Sequence, residues 1–276
     1  MSLLQVIILG IVQGLTEFLP ISSSAHLAVI PQLFGWPDQG QAFDIALHVG
    51  TLAAVLLYFY RDWLQILTGA IGMRVGTDPE IERNRKLFWW LVLATIPVGV
   101  VGFLFGKQAE AARSNLYLIG AMLIGIGLVM WWSERVGRKQ KDLGNLSATD
   151  TMVIGVSQAL AVIPGTSRSG ITISTGLLRD LNRTTAARFS FLLSTPAIAA
   201  AAAKDAWDLF RHDGGIAPEL RTAFLLGILV SGVTGGLVIK FLMDFLRRRS
   251  LTFFVWYRVI FGIIVIALAL FRSSGG

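Results

Sequence analysis

Glu17, Ser23 and His26 lie close together in the stretch Gln13–His26, QGLTEFLPISSSAH, within an otherwise apolar run. A carboxylate, an imidazole and consecutive hydroxyls are costly to bury in such a run, so their presence points to a site. Gln13 and Glu17 are four residues apart and share a helical face. After Pro20, one serine suffices to cap a helix, so Ser22, Ser23 and Ser24 leave hydroxyls over for a ligand. His26 lies three residues beyond Ser23, near the same face, and imidazole suits proton transfer near neutral pH. A second polar cluster, PGTSRSG, fills Pro164–Gly170. Gly165 and Gly170 permit close backbone approach, while Thr166, Ser167 and Ser169 supply hydroxyls. Arg168 can grip a phosphate through two hydrogen bonds, and the amides that open the following helix form an anion site. The combined set suits a phosphate group and the positioning and charge stabilisation of phosphoryl transfer or hydrolysis. These residues alone do not separate hydrolysing a phosphate from moving it. There is no Walker A sequence and no GxGxxG after a strand, so nucleotide binding is not indicated.

The surrounding elements must hold these clusters in an apolar setting. Of the 276 residues, 54% are hydrophobic and 15% charged, and the mean hydropathy is +0.66. These values suit a polytopic membrane protein better than a soluble domain. Cysteine is absent, which excludes a disulfide framework, a thiolate nucleophile and a cysteine metal site. The net charge of +7 would allow nucleic-acid binding. The basic residues sit in short loops between apolar runs, however, so anionic lipid and topology account for them, and no nucleic acid is expected. No Lys or Arg precedes Arg61, so no cleavable signal is expected.

Leu3–Leu19 is stopped by Pro20, and the apolar piece that follows, Ala25–Phe34, is too short to span. A bilayer core needs about 20 apolar residues. The pair predicts a re-entrant hairpin, tolerated where protein or water lines it, with one kinked helix as the alternative. Met152–Ile163 and Ile171–Leu178, parted by Pro164, predict a second. Full spans are expected at Phe43–Tyr60, Leu87–Gly106, Leu116–Trp132, Phe189–Ala203, Thr222–Ile239 and Leu251–Leu270. The expected fold is therefore an all-α polytopic membrane protein of six transmembrane helices plus two re-entrant helix hairpins.

The two broken segments resemble each other. Gly10–Leu15 matches Gly155–Leu160, and Pro20–Ser23 matches Pro164–Ser167, with a one-residue gap between the matches. Each half then holds a hairpin and three spans, an odd number, which predicts an inverted repeat with broken helices at the midplane. Within a single membrane domain, 1–276, the first repeat covers 1–133 and the second 151–272, joined by a charged cytoplasmic linker, 134–150. Most loop Lys and Arg residues fall on one side, including Arg83, Arg85, Lys86, Arg135, Arg138, Lys139 and Arg247–Arg249. That side is expected to be cytoplasmic, with both termini outside and the hairpin tips meeting within the membrane. Asp44 and His48 share a face, and they either line the cavity or satisfy one another's neighbourhood by hydrogen bonds. Ala197–Ala203 reads as close helix packing, and His212 as a loop residue.

At these residues the chain resembles the undecaprenyl-diphosphate phosphatase, or bacitracin-resistance protein, family. That family has a Glu/Gln-x-x-x-Glu motif, here Gln13 and Glu17, and a Pro-x-Ser-Ser-x-x-His stretch, here Pro20, Ser22, Ser23 and His26. Its PGxSRSxxT motif is matched by Pro164, Gly165, Ser167, Arg168, Ser169 and Thr172, and Phe189–Leu193 is also similar. The resemblance covers essentially the whole chain. It implies six spans with two hairpins, and removal of the terminal phosphate from a C55 isoprenyl diphosphate, regenerating the lipid carrier of cell-wall synthesis. It also implies a divalent cation, Mg2+ or Ca2+, steadied by Glu17, and a site open to the periplasmic or outer face of a bacterial cell membrane. Gln13 cannot act as a base, so it is expected to orient substrate while Glu17 carries the acid role alone. The expected catalytic set is Glu17, Ser23, His26 and Arg168. Gln13, Ser22, Ser24, Gly165, Thr166, Ser167, Ser169 and Thr172 are expected to bind substrate. Ser23 attacking with Glu17 or His26 as base, His26 attacking, and water attacking all remain open. The expected partners are the polyprenyl diphosphate and the bilayer, with a homodimer left open. The rival reading is a transporter or flippase of a phosphorylated lipid, because broken helices and inverted repeats also mark secondary transporters.

Overall fold

The computed structural model describes residues 1–212 and 217–274. Its helices run α1 Leu3–Phe18, α2 Ser23–Leu33, α3 Gln41–Tyr58, α4 Tyr60–Ala70, α5 Pro79–Arg83 and α6 Leu87–Ala111. They continue as α7 Leu116–Val136, α8 Ala148–Gln158, α9 Arg168–Leu178, α10 Arg183–His212, α11 Pro218–Leu246 and α12 Thr252–Ser274. Six of them, α3, α6, α7, α10, α11 and α12, are long and apolar enough to cross a membrane. They coincide with the six spans expected from the sequence. The broken segments become the short pairs α1–α2 and α8–α9, each joined through a turn after an apolar helix.

Local chemistry sets these boundaries. A capping box opens α1, with Ser2 and Gln5 satisfying each other's amides, and another opens α8 through Ser147 and Asp150. Leu19 ends α1 in an extended conformation, as a residue before proline prefers. Two serines cap α2 and α9 in the same unusual way. Ser22 has φ 78° and Ser167 φ 69°, a region disfavoured for side chains with a Cβ. Ser22 accepts the Ala25 amide and Ser167 the Gly170 amide. Each cap hydroxyl also lies 3.2 Å from the hydroxyl two residues on, Ser24 in one case and Ser169 in the other. The shared geometry pairs Ser22 with Ser167, and therefore Ser23 with Arg168. This corrects the sequence match, which had set Ser23 against Ser167 across a one-residue gap. Gly10 and Gly155, Gln13 and Gln158, and Ser22 and Ser167 are all separated by the same number of residues, so no gap is needed.

Helices approach closely where side chains are small, as expected where packing rather than water drives association. A Cβ on Gly50 of α3 would collide with Ser231 Oγ and Ile228 O of α11. A Cβ on Gly155 of α8 would lie 2.6 Å from Ala94 Cα of α6. The two turns touch directly. Ser24 Oγ accepts the Gly165 amide at 3.2 Å, and Ser169 Oγ donates to Leu19 O at 3.2 Å. The contacts differ for a covalent reason: Pro20 stands where Gly165 does and has no N–H to offer.

Between the first two spans the structure adds α4 and α5, which the sequence left unassigned. Ile66 of α4 is buried, and Trp63 packs against the main apolar core. Arg188 of α10 donates to Asp62 at 2.7 Å and to Asp78, the N-cap of α5, at 2.8 Å, tying both short helices to the bundle. The expected linker starts later than 134, because α7 runs to Val136. His212 closes α10 instead of lying in a loop.

Candidate active site

Glu17 is the centre of the site. It lies on α1 one turn beyond Gln13, and only 7% of it is exposed. Ser23 Oγ donates to Glu17 Oε2 at 2.7 Å, and Arg168 Nη2 donates to Oε1 at 2.9 Å. Gln13 Nε2 reaches Oε2 at 3.2 Å, and His48 Nε2 stands 3.5 Å from the same oxygen. The first residue of α2 and the first residue of α9 thus meet on one carboxylate. A hydroxyl 2.7 Å from a carboxylate is within reach for general-base activation.

Arg168 is held from behind. Its Nη1 donates to Ser190 O at 2.9 Å. Thr172 Oγ1 lies 2.6 Å from Ser190 Oγ and donates to Arg168 O at 2.8 Å. Thr172 therefore acts on the site through Arg168 and Ser190. Gly165 sits at φ 89° with Ile119 O 2.7 Å from where a Cβ would be, so the turn has room only for glycine. Thr166 is fully buried, and its hydroxyl has no partner. Ser22 and Ser167 cap the third amide of their helices. Helix geometry then leaves the amides of Ser23, Ser24, Arg168 and Ser169 for a ligand.

His26 is not brought to Glu17 or Ser23. Its Nδ1 lies 2.7 Å from Ser22 O and its Nε2 2.7 Å from Tyr257 Oη, and its ring stacks on Phe261 with centroids 4.5 Å apart. Both ring nitrogens are occupied away from the carboxylate. His48, which the sequence left between two readings, takes that place instead. Asp44 faces the other way, accepting from Gln39 at 2.7 Å and pairing with Arg113.

A cavity of about 300 Å³ opens beside Glu17. Its polar lining is Glu17, Ser23, Ser24, His48, Gln158, Ser167 and Arg168. The rest of its lining is apolar: Ile45, Val98, Ala161, Val162, Ala197, Ile198, Ala201 and Ala202. The alanine run read as helix packing therefore forms a wall of the cavity.

Sequence reasoning missed Gln158, Ser190 and Arg258. Gln158 was visible as the counterpart of Gln13. Ser190 lies in the Phe189–Leu193 segment noted above. Arg258 is a charge inside an apolar span, which marks function by default, but counting loop charges passes over it.

No group of three or more His, Asp or Glu side chains fit to hold a metal exists among the described residues. The amide oxygens of Gln13 and Gln158 are buried without partners, the first beside Glu17 and the second in the cavity wall. One carboxylate with amide oxygens fits a hard divalent cation whose remaining ligands come from phosphate and water.

The chain matches the family model for bacitracin resistance protein BacA over residues 6–264. It is 47% identical over 268 residues to the undecaprenyl-diphosphatase of Moorella thermoacetica, covering 97% of this chain and 98% of that protein. It is 44% identical over 275 residues to the undecaprenyl-diphosphatase of Pelotomaculum thermopropionicum, covering both chains completely. It is 48% identical over 268 residues to that of Desulforudis audaxviator, covering 97% and 98%. Matches of this extent, on a chain with six helices able to cross a membrane, make this a multi-pass membrane protein that belongs to the BacA bacitracin resistance protein family.

Proposed function

We propose that this chain is an integral membrane phosphatase that hydrolyses undecaprenyl diphosphate to undecaprenyl phosphate and inorganic phosphate. It thereby recycles the lipid carrier of peptidoglycan synthesis and contributes to bacitracin resistance. The observation that carries the reading is the Ser23–Glu17–Arg168 arrangement at the junction of two helix N-termini. The names of the relatives supply the substrate.

Arg168 and the amides opening α2 and α9 hold the diphosphate. Ser23 Oγ attacks the terminal phosphorus and passes its proton to Glu17. The bond from that phosphorus to the bridging oxygen breaks, and the prenyl monophosphate leaves. The proton on Glu17 goes to the departing phosphate oxygen, which restores the carboxylate. Water then attacks the phosphoserine, its proton passes through Glu17 to Ser23 Oγ as the Oγ–P bond breaks, and phosphate and free Ser23 result. His26 holds the Ser22 carbonyl and so keeps the cap of α2 in shape. A divalent cation held by Glu17, Gln13 and Gln158 would neutralise phosphate charge. The isoprenoid chain leaves the site along the apolar wall of Val98, Ala161, Ala197 and Ala201.

The short lengths of α1 and α8 support re-entrant pairs, α1–α2 and α8–α9, that enter the membrane from opposite sides. The shared cap geometry of Ser22 and Ser167 supports residues 1–133 and 151–272 as inverted repeats. The distribution of Lys and Arg supports termini on the outer side and a site open to the periplasmic or outer face.

Trapping with undecaprenyl diphosphate labelled at its terminal phosphate tests the chemistry. Label on Ser23 is expected. Label on His26, or on no residue during turnover, would remove Ser23 as nucleophile. If purified protein in detergent releases no phosphate while liposomes show Arg168-dependent lipid flux, the chain is a flippase and not a phosphatase.

A further inference from the structure

Arg258 lies within α12 and is the largest fully buried side chain among the described residues. Its guanidinium donates only to main-chain carbonyls. Nε reaches Leu123 O at 3.1 Å, and Nη2 reaches Met122 O at 3.1 Å, both on α7. Nη1 reaches Pro20 O at 3.3 Å, in the turn before α2. Nη2 also reaches Gly165 O at 2.9 Å and Thr166 O at 3.0 Å, in the turn before α9. One side chain therefore grips both turns.

Its charge is also unmatched. Glu17 pairs with Arg168, Asp44 with Arg113, and Asp150 with Lys141 and Arg179. Among the described residues no carboxylate lies within ion-pair distance of Arg258. A buried charge without a partner is strongly disfavoured, and inside a membrane span it marks function by default.

The gripped peptides explain what that charge does. Carbonyl and N–H point in opposite directions across a trans peptide. Holding Thr166 O therefore turns the Ser167 amide away from Arg258. The Thr166 carbonyl lies directly before Ser167, and the Pro20 carbonyl two residues before Ser22, the two caps at positive φ. Such a conformation persists only where its surroundings over-determine it. Arg258 supplies that hold at both turns.

We propose that Arg258 is the positioning residue of the diphosphate site: it fixes both cap turns in their anion-binding conformation, and its charge is balanced by the substrate's phosphates. The proposal rests on the phosphatase reading for its substrate. The pyrophosphate arm of its test does not need turnover.

The test compares the purified full chain with Arg258→Lys and Arg258→Met in detergent. It measures kcat and KM for undecaprenyl diphosphate, and the rise in Tm produced by inorganic pyrophosphate. Ser231→Ala, which loosens the contact between α3 and α11 and touches none of the groups Arg258 holds, serves as a stability control. A single ammonium cannot span the carbonyls of three elements. Arg258→Lys is therefore expected to fold, to raise KM by at least about tenfold and to lose most of the pyrophosphate-induced rise in Tm. Ser231→Ala is expected to lower Tm with KM unchanged. An unchanged KM and pyrophosphate response in Arg258→Lys would overturn the proposal. So would a KM rise in Ser231→Ala as large as that in Arg258→Lys. An Arg258→Lys chain that does not fold would make Arg258 a structural staple only. Wild-type protein that responds to pyrophosphate but releases no phosphate from the lipid would refute the phosphatase reading and leave the Arg258 comparison standing.

Discussion

Replacing Glu17 by Gln keeps the shape of the side chain and removes its charge. The carboxylate accepts from Ser23 at 2.7 Å, Arg168 at 2.9 Å and Gln13 at 3.2 Å, with His48 at 3.5 Å. An amide has one oxygen for these donors, so Arg168 faces a neutral group. Breaking a buried ion pair from one side costs about 3–5 kcal/mol. Arg168 keeps its bond to Ser190 O, so the expected loss is near the lower end, about 3 kcal/mol. Loss of the base should slow phosphate release by roughly 10²–10⁴-fold. Phosphate release and thermal unfolding in detergent measure the two effects. Combining Glu17→Gln with Arg168→Met sharpens the result, because the double variant leaves no unpaired charge. It should be more stable than the sum of the single effects predicts, by roughly 0.5–3 kcal/mol. Activity of Glu17→Gln within about tenfold of wild type, less than about 1.4 kcal/mol of barrier, would remove Glu17 as the base. Additive stability losses would show that its pair with Arg168 is not a coupled unit.

Three further outcomes follow from the geometry. Ala201→Phe should narrow the apolar wall, raising KM for undecaprenyl diphosphate by at least about tenfold while leaving short-chain prenyl diphosphates nearly unaffected; equal effects on both would place the chain elsewhere. Gly50→Ala drives a methyl against Ser231 Oγ and Ile228 O, so thermal scans should show a loss of about 1–3 kcal/mol, and an unchanged Tm would contradict the close approach of α3 and α11. Burial raises the Asp78 carboxyl, but the Arg188 guanidinium and the amides of Ile81 and Glu80 outweigh it and hold the group below its usual range. Its contribution to stability is then complete above the unfolded value, about 4, and is lost as pH falls through the lower folded value. Asp78→Asn should flatten that part of the Tm–pH curve, and an unchanged slope would mean that Arg188 does not clamp α5.

Short-range properties were legible in the chain. A run of about 20 apolar residues is a local feature, so the spans beginning near Phe43, Leu87, Leu116, Phe189, Thr222 and Leu251 all appear as helices. The helices α4 and α5 were not legible, because they are short and mixed in composition and take their burial from Arg188 and the main core. The cap register was hidden as well. Ser22, Ser23 and Ser24 are chemically alike, and only their φ values show which of them caps.

That polar chemistry sits at Gln13–His26 and Pro164–Thr172 follows from residue order alone, since hydroxyls, a carboxylate and a guanidinium in apolar runs need a use. Tertiary structure alone decided which of these groups meet. Arg168 reaches Glu17 across 151 residues of chain, a contact that no spacing rule encodes. A helix carries Ser23 to Glu17 and turns His26 to Tyr257, because the neighbouring α12 supplies the hydroxyl and the stacking ring on that side. Arg258 was visible as a charge, but its partners are backbone carbonyls, which every residue possesses and which only folding brings together.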